Sequence, residues 1–204
     1  MDPFGEELQK EAWERFYSEN CRPWRGVGKL DLDITPGQRA LDIGCGNGKT
    51  VLALIAAGAE AVGLDFSENA IAYCRGAFGD RAEFVNSTCT ELPFPDGSFD
   101  IVTMVHILEH LDGDDLTKAV AEAERVTAAG GRILVRSFSE GDLRSGGRDS
   151  DIRGNGIAYR YRSAGEIVSL FAGCTAVRSV TSDEETRFGG TRVRAECLLV
   201  RMQQ

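Results

Sequence analysis

A glycine-rich loop and an acidic residue downstream of it are the features of this sequence best suited to chemistry. The loop runs from Asp42 to Gly48 as DIGCGNG, and the acid is Asp65. Glycines let the backbone turn sharply and let another group approach without a Cβ in the way. A helix that begins after the loop favours a negative group of a ligand. Because an acid at the end of a second strand can bind both hydroxyls of a ribose, the pair indicates a nucleoside ligand.

Both histidines of the chain fall in one short segment, His106-Ile-Leu-Glu-His110. Its letters match the H-x-x-E-H pattern of a zinc metallopeptidase class, which needs both histidines on one helical face and a further carboxylate ligand. The segment directly follows the predicted strand SFDIVTMV, so His106 should end that strand before any helix begins. We therefore predict no metal site. His110 is predicted to pack or to begin a helix, whereas a general base, a ligand contact and an inert wall remain open for His106.

The elements that must position these residues alternate between strand and helix from residue 39 onward. The predicted strands are RALDIG, EAVGLDFS, AEFV, SFDIVTMV and GRILVRSF, and the predicted helices are KTVLALIAAG, ENAIAYCRGAF and DDLTKAVAEAERVTAAG. This rhythm predicts a mostly parallel sheet with helices on both faces. A helix, SAGEIVSLFAG, and two strands, CTAVRSVTS and TRVRAECLLVRM, complete the chain. The link between these two strands is too short for a parallel crossover, so they should form an antiparallel hairpin at one edge of a seven-stranded sheet.

Composition limits the classes of partner and compartment. The 204 residues carry a net charge of −9, which disfavours a partner held through a phosphate backbone. No apolar run approaches the roughly 20 residues that cross a bilayer, and the charged N-terminus has no apolar signal-peptide core. The six cysteines are scattered, without zinc-type spacing, and so indicate reduced thiols. We expect a cytoplasmic protein, a monomer or homodimer, with no membrane span.

Taken in order, ALDIGCGNGKT, GLDFS, ELPFPDGSFDIV, HILEHL and AAGGRILV resemble the successive motifs of class I S-adenosylmethionine-dependent methyltransferases. The style is closest to the branch of ubiquinone and menaquinone biosynthesis, and the match is dense over residues 38–137. A fainter likeness at both ends is to tellurite-resistance and thiopurine-type methyltransferases. The resemblance implies a Rossmann-like α/β fold and S-adenosyl-L-methionine as the cofactor. A doubly wound domain that binds another nucleotide, such as NAD, is the alternative.

The resemblance also implies roles for individual residues around that cofactor. Gly44 and Gly46 would pass under its amino-acid part, and Asp42 would orient the ammonium group, directly or through water. Asp65 would hold the ribose hydroxyls, and Phe66 would pack on the adenine. Cys45 and Val105, which flank these motifs, are predicted to contact the cofactor as well.

One position departs from the family pattern. The family usually places an Asp four residues before the Leu of its LPF motif, where it accepts from the adenine amino group, but Thr88 stands there in this chain. A hydroxyl can accept the same hydrogen bond without carrying a charge. The backbone N–H of Cys89 can also donate a hydrogen bond to the adenine ring. The aromatic N-terminal segment is predicted to pack on the sheet. As a lid instead, it would bring Tyr17 or Arg25 near the cofactor carboxylate.

The division into segments follows from these features. We predict one domain, 1–204, with an N-terminal helical lid segment, 1–35, a cofactor-binding core, 36–137, a substrate-side loop, 138–162, and a C-terminal helix and hairpin, 163–204. Within the loop, residues 139–156 are predicted to be irregular, and a loop this long in a compact domain is typically functional.

The acceptor is the least constrained part of the interpretation. We expect a small molecule, anionic or a soft thiol or chalcogen, because no basic tail or separate domain is present to hold a macromolecule. Two alternatives remain open, a wobble-uridine-type tRNA methyltransferase, suggested by AYRYRSAGEI, and a non-catalytic S-adenosylmethionine-binding scaffold. Five arginines in and just after the long loop are either solvated surface residues or would grip an anionic acceptor: Arg144, Arg148, Arg153, Arg160 and Arg162.

Overall fold

The structure is a computed structural model that describes residues 5–20, 24, 26–186 and 189–203. The helices are α1 (Glu6–Glu19), α2 (Lys49–Ala56), α3 (Glu68–Phe78), α4 (Gly113–Val126) and α5 (Ala164–Leu170). The strands are β1 (Arg39–Ile43), β2 (Glu60–Asp65), β3 (Glu83–Asn86), β4 (Phe99–Val105), β5 (Thr127–Phe138), β6 (Ser150–Ile152), β7 (Ala158–Arg160), β8 (Cys174–Glu185) and β9 (Thr191–Arg201).

Seven of these strands form one sheet in the order β3-β2-β1-β4-β5-β9-β8. Strands β1 to β5 pair in parallel, whereas β9 runs antiparallel to both of its neighbours, β5 and β8. The predicted α/β fold, with a mostly parallel seven-stranded sheet and an antiparallel C-terminal hairpin at its edge, is confirmed.

The strand order reverses between β1 and β4, which lie side by side. From β1 the chain builds outward through β2 to β3, and from β4 it builds in the other direction through β5. Open α/β sheets bind ligands in the crevice beyond the carboxyl ends of the strands at such a point. The DIGCGNG loop follows β1 and His106 follows β4, so the topology brings both to this crevice.

Alternation along β1 explains how helices cover both faces of the sheet. Ala40 packs in a cluster with residues of α2 and α3, whereas Leu41 and Ile43 pack in a second cluster with residues of α4 and α5. All three side chains are completely buried. Successive residues of a strand point to opposite faces, so one short apolar run serves both layers.

Helix α1 does not pack on a face of the sheet, and the prediction that it would is wrong. Its buried residues Trp13 and Tyr17 belong to a third cluster, which includes Ala70 of α3 and Tyr159 of β7. Phe138, the last residue of β5, packs against the same cluster. The helix therefore lies across the carboxyl ends of the strands, in the position of the lid that was the alternative interpretation.

Two further local predictions are corrected. The stretch 139–156, predicted to be irregular, contains β6, which pairs antiparallel with β7 in a two-stranded sheet. The predicted helix DDLTKAVAEAERVTAAG ends early, because α4 stops at Val126 and Thr127 already has extended backbone angles. Residues 127–130 instead begin β5, whose register with β4 shifts by several residues there. Within the described residues, no helix combines the length and the apolar character that crossing a bilayer requires.

Candidate functional site

The glycine loop is folded against the end of β2. The backbone N–H groups of Gly44 and Cys45 both donate to the carbonyl of Leu64, at 2.7 and 2.9 Å. Gly44 and Gly46 have φ angles of 71° and 52°, in the left-handed region that favours glycine. The loop is thus held in one shape by the strand beside it.

Close neighbours give a second reason for these glycines. A Cβ on Gly44 would lie 2.8 Å from Cδ1 of Ile107, and a Cβ on Gly46 would collide with the hydroxyl of Tyr17. The sequence predicts that the glycines make room for a ligand. In the structure they make room for the segment after β4 and for the α1 helix, so a substitution here would also displace the walls of the site.

Asp65, the last residue of β2, is the acid that joins β2 to the loop. One carboxylate oxygen accepts from the N–H of Gly46 at 2.9 Å, and the other accepts from the N–H of Ser67 at 2.9 Å. Burial raises its pKa to about 6, although both backbone hydrogen bonds work in the opposite direction. Asp65 as a whole is only 6% exposed, beneath α1. It is a fixed acceptor that ionises fully only near neutral pH.

Asp42 is a second buried carboxyl, one strand away. The hydroxyl of Thr103 on β4 donates to Asp42 at 2.7 Å, and the two residues face each other in the β1–β4 register. Burial raises the pKa of Asp42 to about 7, and the negative charge of Asp65 adds to the increase. Two carboxyls thus flank the glycine loop, and a cationic group near them would favour the ionised form of both.

The residues predicted for a nucleoside base lie beyond β2 and β3. Phe66 is half-buried, and its carbonyl accepts from the Asn86 side chain at 2.9 Å. The Thr88 hydroxyl accepts from the backbone N–H of Thr90 at 3.3 Å and shares a hydrogen bond with the Thr90 hydroxyl at 2.9 Å. Cys89 is buried and packs in the core cluster of α4. Thr88 and Thr90 therefore form a pair of neutral hydroxyls near the expected base position.

His106 lies directly after β4, whose last residue is Val105, as the sequence predicts. Its φ angle is 61°, the one positive value among the described residues other than glycine. The turn lets its Nδ1 reach Oε1 of Glu109 at 2.7 Å, and its ring lies 4.5 Å from that of Phe138. About a third of the side chain remains exposed. A non-glycine residue in this region is strained and is held there by its surroundings.

Glu109 is the buried partner that sequence reasoning missed. It has no exposed surface, and its second oxygen accepts from the Ser137 hydroxyl at 2.9 Å. Burial alone would raise the pKa of Glu109, but the neighbouring His106 and His110 outweigh it and hold that pKa below its usual value. Ser137, Glu109 and His106 therefore form a hydrogen-bonded chain in which an ionised carboxylate orients the imidazole. The H-x-x-E-H letters contained Glu109, but nothing in the sequence pointed to Ser137.

His110 packs against α1 and β7. Its Nδ1 lies 2.8 Å from the carbonyl of Ala158, and its ring meets Trp13 and Tyr159 edge to face at 5.0 and 4.6 Å. Burial lowers the pKa of His110. Among residues 5–20, 24, 26–186 and 189–203, no group of His, Cys, Asp and Glu side chains is arranged to hold a metal ion.

The N-terminal residues predicted at the site divide between the described and the undescribed parts of the chain. Tyr17 is buried, its hydroxyl lies over Gly46, and its ring stacks with Trp13 at 5.7 Å. Burial, together with the charge of Asp65, raises the pKa of Tyr17 well above its usual value. Arg25 lies outside the described residues.

Four of the five arginines in and after the long loop form ion pairs with acids of this chain. Arg160 and Arg162 both pair with Asp112, and Arg162 also donates to the carbonyls of Leu108 and Leu111. Two more pairs lie within the loop, Arg144 with Asp142 at 3.5 Å and Arg148 with Asp151 at 3.0 Å. Arg160 and Arg162 thus tie the loop to the segment after β4.

Comparison with known proteins finds methyltransferases among both the sequence relatives and the solved structures. Residues 41–135 match the model of the methyltransferase domain family. A demethylmenaquinone methyltransferase from Clavibacter sepedonicus is 38% identical over 122 residues, which cover 59% of this chain and 49% of that protein. The chain therefore spans about half the length of the curated relatives it matches.

Solved structures share the fold at low sequence identity. An S-adenosylmethionine-dependent methyltransferase from Methanosarcina mazei superposes with a TM-score of 0.74 at 22% identity, covering 86% of this chain and 100% of the other. Magnesium protoporphyrin IX methyltransferase from Synechocystis PCC 6803, solved with bound S-adenosylmethionine, has a TM-score of 0.67 at 19% identity and covers 98% of both chains.

Proposed function

We propose that this chain, whose residues 41–135 match the methyltransferase domain family, is a class I S-adenosylmethionine-dependent methyltransferase that transfers a methyl group from that cofactor to a small-molecule acceptor. One observation carries the proposal: Asp65 and the glycine loop are joined by a hydrogen bond at the point where the strand order reverses. This arrangement brings an acid of the type that binds ribose hydroxyls and a glycine turn to the same crevice, which supports the proposal.

The two buried carboxyls fit the polar groups of the cofactor. We propose that Asp65 binds the ribose hydroxyls and that Asp42, directly or through water, orients the ammonium group above Gly44 and Gly46. Cys45, between these glycines, would line the same wall. The pKa values of both carboxyls are raised by burial, and a bound cation would lower the cost of ionising them. The donor set therefore suits a ligand with a diol and a positive charge.

The adenine would lie among residues that follow β2, β3 and β4. Phe66 would pack on the ring, and the Thr88 hydroxyl and the N–H of Cys89 would address its edge. Val105, which is half-buried at the end of β4, would contact the cofactor near its reactive end. Tyr17 would approach the carboxylate from the α1 side, and we propose Arg25 as a second contact to the same group.

When bound, S-adenosylmethionine supplies an electrophilic methyl group on a sulfonium, and the protein must align the acceptor and exclude water. Helix α1 covers the crevice and is suited to the second task. His106, which Glu109 orients, can accept a proton at Nε2 if the acceptor is protonated at working pH. We propose His106 as the catalytic residue for such an acceptor.

A small acceptor is favoured over nucleic acid. The net charge of −9 opposes a phosphate backbone, and Arg160 and Arg162 are committed to Asp112. The acceptor would carry an anionic group or a soft thiol or chalcogen. We also propose a cytoplasmic location from the scattered cysteines, which suit a reducing compartment.

A labelling experiment tests this function. The chain and radiolabelled S-adenosylmethionine are incubated with separated small-molecule, RNA and protein fractions of source cells. We expect label in the small-molecule fraction and its loss with Asp65→Ala, while Asp80→Asn, a change at an exposed acid, retains it. Label in RNA alone would favour the tRNA methyltransferase alternative. Tight cofactor binding with no labelled product would favour a scaffold.

A further inference from the structure

One arginine of the long loop has no counter-ion in the part of the chain that the structure describes. Arg153 lies over the ring of Tyr159, with Cζ 3.3 Å from the ring centroid, and within 5.9 Å of the ring of Phe138. Its Nη2 is enclosed and meets no described acceptor at hydrogen-bond geometry, and the neighbouring Tyr161 hydroxyl is likewise enclosed without a described partner. A guanidinium with an enclosed, unused donor is a costly arrangement unless a ligand completes it.

Two more arginines, Arg144 and Arg192, lie near Arg153. Arg144 lies over the ring of Phe138, which Arg153 also approaches, with Cζ 4.6 Å from the ring centroid. Burial lowers the pKa of Arg144, and the positive charges of Arg153 and Arg192 lower it further. The Nε of Arg192 is likewise enclosed without a described acceptor. We refer to Arg144, Arg153 and Arg192 as the arginine cluster.

The acid available to the cluster is already in use. Asp142 pairs with Arg144, but its two oxygens also accept from the backbone N–H groups of Arg144 and Val193, at 3.0 and 3.1 Å. Among the described residues, Arg144 alone pairs with this fully buried carboxylate, whereas Arg153 and Arg192 form no ion pair there. In a chain of net charge −9, this local positive excess indicates an anionic ligand.

The arginine cluster adjoins the proposed catalytic residue. The Phe138 ring that contacts Arg144 lies 4.5 Å from the ring of His106 and 6.3 Å from that of Tyr159. An oxyanion at the cluster would thus be separated from His106 by roughly the width of one aromatic ring. The side chains that line the space between the arginine cluster and His106 are the rings of Phe138 and Tyr159, and aromatic rings favour a flat, aromatic ligand.

We propose that the methyl acceptor is a small aromatic hydroxy acid, whose carboxylate binds the arginine cluster and whose hydroxyl lies at Nε2 of His106. This inference rests on the proposed function. In the transfer, a bond forms between the acceptor oxygen and the methyl carbon as the methyl–sulfur bond breaks. The electron pair of that bond returns to sulfur, and the hydroxyl proton passes to Nε2 of His106. Planar guanidinium forks match a carboxylate through paired hydrogen bonds.

Ligand-observed NMR titration of the chain saturated with S-adenosylhomocysteine tests this inference. The probes are the three isomeric hydroxybenzoates, each compared with the neutral hydroxybenzamide of the same substitution. We expect at least one hydroxybenzoate to bind about tenfold more tightly than its amide, because the carboxylate gains charge-assisted hydrogen bonds. Arg153→Gln and, separately, Arg192→Gln should remove the preference. Arg148→Gln, which changes an exposed arginine paired with Asp151, should retain it.

The outcomes separate this inference from the proposed function. If S-adenosylhomocysteine binds but no hydroxybenzoate is preferred over its amide, the acceptor class is wrong and the methyltransferase proposal stands. An unchanged preference in both arginine variants would also overturn the acceptor class. Absence of S-adenosylhomocysteine binding would overturn both.

Discussion

The carboxylate of Asp65 accepts a hydrogen bond from the backbone N–H of Gly46 at 2.9 Å. This bond connects the end of β2 to the loop that follows β1, so the acid and the turn predicted to bind one ligand are a single rigid unit. Because the same carboxylate also caps the turn at Ser67, its position is fixed before any ligand arrives. Preorganisation of this kind lowers the ordering cost of binding.

Asp42→Asn should stabilise the ligand-free chain near neutral pH. The pKa of Asp42 is about 7 when folded, against its usual 3.8, so the folded state holds more protons between these values. Stability therefore falls as pH rises from about 4 to about 7, and an amide, which can still accept from Thr103, removes this loss. The gain at pH 7.5 should be about 1 to 4 kcal/mol. Urea unfolding at pH 5, 6 and 7.5 measures this change in the free energy of unfolding. The prediction is contradicted if that free energy depends on pH in Asp42→Asn as it does in the control Asp80→Asn.

Glu109→Gln should slow methyl transfer without weakening cofactor binding. An amide cannot stabilise a protonated His106 as the buried carboxylate does, so kcat for an acceptor hydroxyl should fall about 100-fold. KM and the affinity for S-adenosylhomocysteine should stay within about threefold, since neither requires proton transfer. Ser137→Ala is the matched variant and should cost about tenfold or less. Initial rates and calorimetry provide the readouts, and a parallel loss of affinity would indicate a purely structural role.

Thr88→Asp should tighten the binding of S-adenosylhomocysteine by about fivefold, because a carboxylate accepts more strongly than a hydroxyl. The substitution fits locally, since an acid can also accept from the N–H and hydroxyl of Thr90. The same change should weaken S-inosylhomocysteine, whose ring oxygen would face the new charge. Calorimetry with both ligands measures the difference. Equal effects on the two would mean that residue 88 does not contact the base.

Glu14→Ala should loosen α1 from the site. The Glu14 carboxylate accepts from the Ser67 hydroxyl at 3.1 Å and from the Asn69 side chain at 2.6 Å, at the beginning of α3. Losing these bonds should weaken the docking of α1 by about 1–2 kcal/mol. Hydrogen exchange should become faster in residues 6–19 while β1 and β4 stay protected, and S-adenosylhomocysteine should dissociate several-fold faster. Glu11→Ala, at an exposed position of the same helix, is the control. Matching exchange in the two variants would rule out this latch.

Local patterns in the sequence carried the fold and the placement of His106. Strands of apolar residues that end in glycine or acid, alternating with amphipathic helices, give a parallel sheet by short-range rules. The position of His106 at the end of β4 follows from the same pattern. These features depend on residues close together in the chain, which is why they could be predicted.

Features that depend on distant partners were not predictable. Arg160 and Arg162 pair with Asp112, about 50 positions earlier, and α1 reaches the crevice because Trp13 and Tyr17 meet Tyr159. The bond between His106 and Glu109 requires a left-handed turn at His106, which no residue type specifies. The strands β6 and β7 have only three residues each, which is too short for an alternation of apolar and polar residues to be recognised in the sequence.

Titration calorimetry of S-adenosylhomocysteine against the wild-type chain, Asp65→Ala and Asp80→Asn at pH 7.5 tests the central claim most directly. We predict binding by the wild type and Asp80→Asn, an affinity at least about tenfold lower for Asp65→Ala, and no comparable binding of NAD. Equal affinity of the wild type and Asp65→Ala, or tighter binding of NAD than of S-adenosylhomocysteine, would contradict the claim.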